Sequence, residues 1–193
     1  MKKVLTLFFI LQYVSIHLFS QEKACGLYLS AGDYSSGKIS FGTDSSRIKL
    51  NDTFYKNHVE VFVKGKKYKF KKDSIFGYRT CDKSDFRFSD TKEKEFQILE
   101  NRAIIIYAVS LPTATSSGKA IRFETSYFFS EKVNSSILPL TVSNLKTAFN
   151  ENEKLHDQLD LEFGDTGVPL STYDQKNKMY KINFLLESIY KKQ

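Results

Sequence analysis

The stretch DSIFGYRTCDKSDFRF, from Asp73 to Phe88, contains four aromatic residues, two arginines and one of the two cysteines of the chain. Apolar and polar residues alternate on both sides of a short polar segment, Thr80–Ser84. Alternation of this kind around a turn is typical of a β-hairpin whose strands bury one face. The stretch therefore predicts a hairpin with Cys81 in its turn.

The predicted hairpin has a defined register. It places two aromatic pairs on one face: Tyr78 with Phe86 and Phe76 with Phe88. It also sets Arg79 opposite Asp85, so that their charges match across the ladder. Cross-strand aromatic pairs stabilise sheets by about 0.2–1 kcal/mol each, so the stretch is interpreted first as framework. The alternative is a cleft in which Tyr78, Arg79 and Arg87 contact a ligand or partner.

A second hairpin is predicted by HVEVFVKGKKYKFKK, which starts at His58 and has the Lys-Gly turn signal at 64–65. The register that follows gives three cross-strand pairs: Val61 with Tyr68, Val59 with Phe70 and Glu60 with Lys69. The apolar pairs would lie inside, and Lys67, Lys69 and Lys71 would face solvent. This row is interpreted as a solvated face or a protected edge strand. The alternative is an anion-binding strip.

Further strands are predicted by apolar runs in four segments: FQILE (96–100), AIIIYAV (103–109), AIRFETSYFF (120–129) and SSILPLT (135–141). The second run is apolar on both faces, which indicates a central strand covered on both sides. Pro139 limits the last strand to a sheet edge. Residues 110–118, which are rich in Ser and Thr, predict a loop.

Helical signals follow residue 142. Ser143 is predicted to cap a short helix, and Asn150 with Glu153 forms a capping-box pattern before a second one. Thr172 and Gln175 are predicted to open the last helix. The apolar residues expected on the buried stripes of the last two helices are Leu155, Leu159 and Phe163, and Met179, Ile182, Leu186 and Ile189.

These signals predict an α+β fold: a mostly antiparallel β-sheet, as a sandwich or an open barrel, with two or three C-terminal helices packed against it. Residues 1–20 are predicted to be a signal peptide, 21–142 a β-rich domain, and 143–193 a helical segment packed on the same domain. With 193 residues, 17 Phe and 11 Tyr, the chain has enough apolar surface for one core.

The first twenty residues have the layout of a secretory signal peptide. Lys2 and Lys3 precede an apolar run over 4–19, and Ser20 supplies a small residue before the expected cleavage point. The alternative is an uncleaved anchor, which the shortness of the run and Gln12 disfavour. Removal of the leader, with its two lysines and no acids, lowers the formal net charge from +7 to +5. That balance favours solubility and weak attraction to anionic surfaces.

Two cysteines, Cys25 and Cys81, remain in the mature chain. In an oxidising compartment an even pair predicts one disulfide. The alternative is a reactive thiol, which would need an electropositive pocket and a histidine nearby. No neighbouring motif supplies either.

Several segments resemble a group of small exported proteins of Bacteroidota. The likeness covers most of the mature chain and rests on these strings: KKDSIFGYRTCDKSDFRF, FQILE, IIIYA, YFFSEKVNSSILPLTVSNLKTAF and KLHDQLD. The group has no established activity or binding residues, so the resemblance implies only an envelope or extracellular setting in a Gram-negative bacterium. The helical C-terminus differs from the β-rich tail of type IX secretion cargo, which favours the periplasm. Asp73-Ser74-Ile75 also fits the short O-glycosylation pattern of such bacteria.

Motifs for catalysis are weak. His58 and His156, the two histidines after the leader, have no metal-ligand spacing and are interpreted as solvated surface residues. Asp165-Thr166-Gly167 matches the triplet of aspartic proteases, but those enzymes need two such carboxylates and this triplet follows an acidic helix. No catalytic, cofactor-binding or metal-binding residue is assigned.

The resulting hypothesis is an exported, non-catalytic envelope protein that binds a partner protein, a glycan or a small ligand, without a cofactor. The alternative is a hydrolase of an envelope polymer, with acids such as Asp73, Asp85 and Glu124 converging from distant strands. Export makes nucleic acid an unlikely partner, and no segment after the leader is long and apolar enough to cross a bilayer. Ligand identity, oligomeric state and biological process do not follow from the sequence.

Overall fold

The structure is a computed structural model that describes residues 25–43, 47–50, 57–91, 94–114, 121–164 and 167–190. The predicted signal peptide lies outside the described residues, as do Asp165 and Thr166 of the protease-like triplet. Among the described residues, no helix combines the length and apolar character that a membrane crossing requires.

The described residues form thirteen strands, four α-helices and one 3₁₀ turn. The strands are β1 (Cys25–Tyr28), β2 (Ser40–Thr43), β3 (Arg47–Leu50), β4 (His58–Val63), β5 (Lys66–Lys71), β6 (Gly77–Arg79), β7 (Asp85–Phe88), β8 (Glu95–Asn101), β9 (Ile105–Ala114), β10 (Ile121–Ser130), β11 (Leu138–Pro139), β12 (Tyr173–Asp174) and β13 (Met179–Tyr180). The helices are α1 (Ala31–Ser36), α2 (Val142–Ala148), α3 (Glu153–Phe163) and α4 (Lys181–Tyr190), and the 3₁₀ turn is Lys72–Ser74.

Eight strands form one open antiparallel sheet in the order β11-β10-β9-β8-β7-β6-β1-β2. A second sheet contains β3-β4-β5, and β12-β13 form a separate hairpin. All the pairings are antiparallel. The predicted α+β class, with a mostly antiparallel sheet and C-terminal helices against it, is confirmed.

One face of the large sheet is covered by two different layers. The register aligns a row of residues across five strands on this face: Leu27, Tyr78, Phe86, Gln97 and Ala108. At one end of the row, the small sheet covers β1, β6 and β7 through Val59 and Val61 of β4. At the other end, α2, α3 and α4 cover β9 and β10, where Ile106 and Phe129 are fully buried.

The stripes predicted for the helices supply the second core. Leu155, Leu159 and Phe163 of α3 are buried in it, as are Ile182, Leu186 and Ile189 of α4. The ten residues of this cluster are each at most 7% exposed. This packing stabilises helices that would be too short to be stable on their own. The helical segment therefore packs on the same sheet as the β-rich part.

The opposite face of the large sheet is covered by the segment between β10 and β11 and by α1. Phe96, Ile105 and Tyr107 pack there against Val133 and Ile137 of the segment that joins β10 to β11. Near β1, Tyr34 of α1 packs edge-on against Tyr28, with ring centroids 5.3 Å apart. This face also holds the arginines of the first predicted hairpin.

Both predicted hairpins are present with the expected registers. Val61 pairs with Tyr68 and Val59 with Phe70, while Lys64 (φ 47°) and Gly65 (φ 76°) take the left-handed conformations of a tight turn. In the first hairpin, Tyr78 pairs with Phe86, Arg79 pairs with Asp85, and the chain turns over residues 80–84.

Phe76 is the exception to the predicted hairpin. It contacts Tyr34 and Arg87 on the opposite face rather than sharing a face with Tyr78. The 3₁₀ turn at Lys72–Ser74 interrupts the alternation, and Ile75 occupies the inner position instead, 2% exposed. The prediction of four rings on one face was therefore wrong for one of them.

Several boundaries also differ from the predictions. β9 continues to Ala114, so Ser110 belongs to a strand rather than to a loop. The N-cap of α3 is Asn152, not Asn150. The chain before α4 forms the β12-β13 hairpin, so Met179 lies in a strand and not on the last helix.

The N-cap of α2 is Thr141 rather than Ser143, because the Thr141 side chain accepts a hydrogen bond from the Asn144 amide at 3.1 Å. We expect Thr141→Ala to lower the free energy of unfolding by about 1 kcal/mol, the usual value for a lost N-cap. Ser143→Ala is the matched control and should change it by less than about 0.5 kcal/mol. Urea denaturation measures both. Equal losses in the two variants would show that Thr141 is not the cap.

The predicted disulfide is confirmed. Cys25 of β1 is bonded to Cys81 in the β6-β7 turn, with an S–S distance of 2.10 Å and a sequence separation of 56 residues. The bond joins a strand near one edge of the large sheet to the hairpin beside it. No free cysteine is left in the chain.

Candidate functional site

The three predicted contact residues, Tyr78, Arg79 and Arg87, are all buried, at 4%, 7% and 4% exposure. The structure does not bring them together, because Tyr78 faces the small sheet and the two arginines lie on the other face. Tyr78 stacks on Phe86 with centroids 4.9 Å apart and donates a hydrogen bond to Glu95 Oε2 at 2.6 Å. Its contacts are those of a framework residue.

Arg79 takes part in a compact charged cluster with Asp85 and Tyr28. Its Nε and Nη2 atoms donate to the two carboxylate oxygens of Asp85 at 2.7 and 2.6 Å. The Tyr28 hydroxyl donates to Asp85 Oδ1 at 2.8 Å. Burial raises the pKa of Tyr28 far above its usual value, and the hydrogen bond to Asp85 acts in the same direction. Hydrogen bonding to Asp85 likewise raises the pKa of Arg79. Tyr28 and Arg79 therefore both keep their protons over the whole physiological range.

Arg87 ties the sheet to the segment that covers it. Its Nη1 donates to the Tyr107 hydroxyl at 3.0 Å, and its Nη2 donates to the Ser135 carbonyl oxygen at 2.8 Å. The Tyr107 hydroxyl is also 2.8 Å from Ser130 Oγ. The guanidinium lies over the Phe76 ring at 5.4 Å. Arg87 thus holds the 133–137 segment against the sheet.

The acids considered for a hydrolase lie on separate elements. Asp73 is exposed in the 3₁₀ turn, Asp85 is bonded to Arg79, and Glu124 is exposed on β10, three strands from β7. Over the described part of the chain, no group of three or more His, Cys, Asp or Glu side chains is arranged to hold a metal ion.

His156 has a structural position that the sequence did not predict. Its Nε2 lies 3.1 Å from the Lys146 carbonyl oxygen and 3.0 Å from that of Phe149. Because both partners are acceptors, Nε2 carries the proton and donates to the C-terminal end of α2. The prediction of a solvated surface residue was therefore wrong for His156. His58, at the start of β4, is half-buried.

A concave site lies between α3, α4 and the β12-β13 hairpin, with a volume of about 330 Å³. We call it the helical cleft. Its lining residues are Gln158, Glu162, Phe163, Asp174, Lys181, Phe184, Leu185 and Ser188. Phe163 is buried and forms its apolar interior, whereas Phe184 is 46% exposed at its edge. The volume is at the small end of the range for ligand pockets, roughly 300–1,000 Å³.

The charges around the helical cleft are unequal. Glu162 and Asp174 supply two carboxylates, and Lys181 supplies the one cation among the lining residues of the described chain. The Asp174 carboxylate accepts hydrogen bonds from Asn177 Nδ2 at 2.7 Å and from the amides of Lys176 and Asn177. The bond from the Asn177 side chain is the main cause that lowers the pKa of Asp174. This acid therefore stays ionised at neutral pH.

Local sequence explains the shape of the cleft. The buried stripe of α4 follows Ile182, Leu186 and Ile189, so Phe184 points away from the sheet. Asp174 begins a turn in which its side chain accepts backbone amides two and three residues later, a common role of Asp in turns. Sequence reasoning missed this site. The signal that was available is an aromatic residue outside the buried stripe of a helix.

No protein-family model, curated protein or solved structure matches the chain. The resemblance to small exported proteins of Bacteroidota stays a prediction.

Proposed function

We propose that the mature chain is an exported, non-catalytic binding protein of the periplasm, and that its helical cleft binds a small organic cation with an apolar body. One observation supports the proposal above the others. The cleft combines an apolar interior, Phe163 and Leu185, with an exposed aromatic edge, Phe184, and an excess of carboxylates. An aromatic or aliphatic amine is complementary to that combination, because its body can contact the rings while its ammonium faces the acids.

The compartment is supported by the disulfide. Bonds such as Cys25–Cys81 persist in oxidising compartments and are rare in the cytosol.

Phenethylamine is a suitable probe for the helical cleft, and phenylacetate is its counterpart with the opposite charge. We expect isothermal titration calorimetry to show binding of the amine and no binding of the acid, because Glu162 and Asp174 repel a carboxylate. Phe184→Ser should weaken amine binding by about fivefold to tenfold, since one aromatic contact is lost.

Leu161→Ser is the matched control for Phe184→Ser. Leu161 is 64% exposed on α3 and is not a lining residue of the cleft, so its replacement should leave the affinity unchanged. Equal binding of the amine and the acid would contradict the proposed ligand class. An equal effect of the two serine variants would contradict the site.

A further inference from the structure

The outer face of the small sheet carries a cluster of lysines that the helical cleft does not use. The cross-strand register places its members side by side. We call them the lysine face: Lys49, Glu60, Phe62, Lys67, Lys69 and Lys71. Val59 and Val61 point the other way, into the core, so the alternation of β4 places Glu60 and Phe62 on the outer face. Glu60 is nevertheless buried, at 9% exposure, and Phe62 is half-buried. The four lysines are exposed.

The lysine face has one acid, and that acid is already neutralised. Glu60 Oε1 lies 2.7 Å from Lys67 Nζ. The hydrogen bond from Lys67 is the main cause that lowers the pKa of Glu60, and the charges of Lys67, Lys69 and Lys49 add to it. Among the six residues of the lysine face, four lysines against one glutamate leave a formal excess of three positive charges.

Phe62 lies at the middle of these charges. Lys49 Nζ and Lys67 Nζ are 5.5 and 5.9 Å from its ring centroid. The ring is half-buried and lies on the outer face, so it adds an apolar platform between the two ammonium groups. The apolar face of a sugar ring can pack on such a platform while its anionic substituent contacts the lysines.

The lysines of β5 form a regular row. Alternate residues on a strand are about 7 Å apart, so Lys67, Lys69 and Lys71 repeat at that distance along the edge strand of the small sheet. A regular row of point charges suits a linear polymer that carries repeated acidic groups. Outside the cytosol, where the disulfide persists, an acidic polysaccharide is a polymer of this kind.

We propose that the lysine face binds an acidic polysaccharide, with carboxylates on the lysines and a sugar ring on Phe62. The site is distinct from the helical cleft, because the small sheet covers β1, β6 and β7 whereas the cleft lies among α3, α4 and the β12-β13 hairpin. Either site can fail its test without affecting the other. The disulfide supports a partner outside the cytosol.

The test measures binding of the oxidised protein to immobilised polygalacturonate at 50 and 200 mM salt. Replacement of Lys67, Lys69 and Lys71 by glutamine should weaken binding at least about tenfold and reduce its salt dependence. A control variant with Lys154→Gln, Lys176→Gln and Lys178→Gln changes the net charge equally at exposed lysines elsewhere. We expect its affinity to stay within about twofold of the native value, because those charges lie outside the binding face.

Two further variants separate the charge from the ring. Glu60→Gln should tighten binding, because it removes the one acid of the face. Phe62→Ser should weaken binding to polygalacturonate but not to polyglutamate, which has no ring to pack on the platform.

Three results would overturn the inference. One is an equal loss in the two triple-glutamine variants. The others are tighter binding to double-stranded DNA, or to vesicles with anionic phospholipid, than to polygalacturonate at the same salt concentration.

Discussion

Replacement of both Cys25 and Cys81 by serine is expected to lower the free energy of unfolding by about 4 kcal/mol. The two residues are 56 positions apart, and the cross-link restricts the unfolded chain by an entropy equivalent to about that value in the chain-entropy model. Packing in the native state contributes as well. Cys25 is 2% exposed, and the disulfide holds β1 against the β6-β7 hairpin, so serine at this position replaces a buried sulfur by a hydroxyl. Guanidinium denaturation of both proteins under oxidising conditions measures the difference.

The reductant provides the control for this prediction. Dithiothreitol should destabilise the native protein by a similar amount and leave the double-serine variant unchanged. A native protein whose unfolding midpoint does not respond to reduction would contradict the structural importance of the bond. Equal effects of the reductant on both proteins would show that it acts elsewhere.

Asp85→Asn is expected to lower the free energy of unfolding by about 3 kcal/mol. The substitution keeps the shape of the side chain but leaves the charge of Arg79 without its counter-ion, and loss of one partner of a buried pair typically costs about 3–5 kcal/mol. We expect a loss at the lower end of that range because the Asp85 side chain is 16% exposed. Within the described residues, Nη1 of Arg79 has no hydrogen-bond partner. The Asp85 carboxylate is therefore the main group that compensates the buried charge of the guanidinium. Thermal and chemical denaturation measure the loss.

The matched control removes the whole cluster. Arg79→Met, Asp85→Leu and Tyr28→Phe together replace the charges and the hydroxyl by apolar groups of similar volume. We expect this triple variant to be more stable than Asp85→Asn, because no charge is left buried without a partner. A triple variant that is less stable than the single one would show that the cluster stabilises the fold through more than charge compensation.

The parts of the fold that could be predicted are those that depend on short sequence separations. The Lys64-Gly65 turn sets the register of β4 and β5, because only a two-residue turn brings Val61 opposite Tyr68. The charge match of Arg79 with Asp85 likewise follows from the length of one turn. The disulfide could be predicted because the chain offers one pair of cysteines.

The errors arose where the alternation is interrupted. The 3₁₀ turn at Lys72–Ser74 shifts the pattern so that Ile75, not Phe76, faces the core. The strands β12 and β13 have two residues each, which is too short for any periodicity to be detected. The sequence pattern therefore predicts Met179 on the neighbouring helix, whereas it lies in β13.

The polar contact that fixes α4 could not be predicted from local pattern. Asn183 is fully buried and accepts a hydrogen bond from the Ile104 amide at 2.9 Å, while its amide group donates to Glu100 Oε2 at 2.6 Å. These partners are about eighty positions away in sequence. An asparagine beside Ile182 in an apolar stripe is the one local signal of a buried polar contact.

The helical cleft was missed for a similar reason. Its lining comes from α3, β12 and α4, and the residues involved are those that a pattern analysis treats as solvent-facing. Its shape depends on how these elements pack, which the sequence alone does not give. The aromatic residues in the stretch from Asp73 to Phe88 were more conspicuous, but they build the sheet.

The proposed ligand of the helical cleft is a small organic cation. Its binding can be measured by titration of the ¹⁵N-labelled, oxidised protein with phenethylamine, in which the amide chemical shifts are monitored by NMR. We expect saturable shifts confined to Asp174, to residues 181–188 of α4 and to residues 158–163 of α3. Shifts spread evenly over the surface, or no saturable shift at those positions, would contradict the proposal.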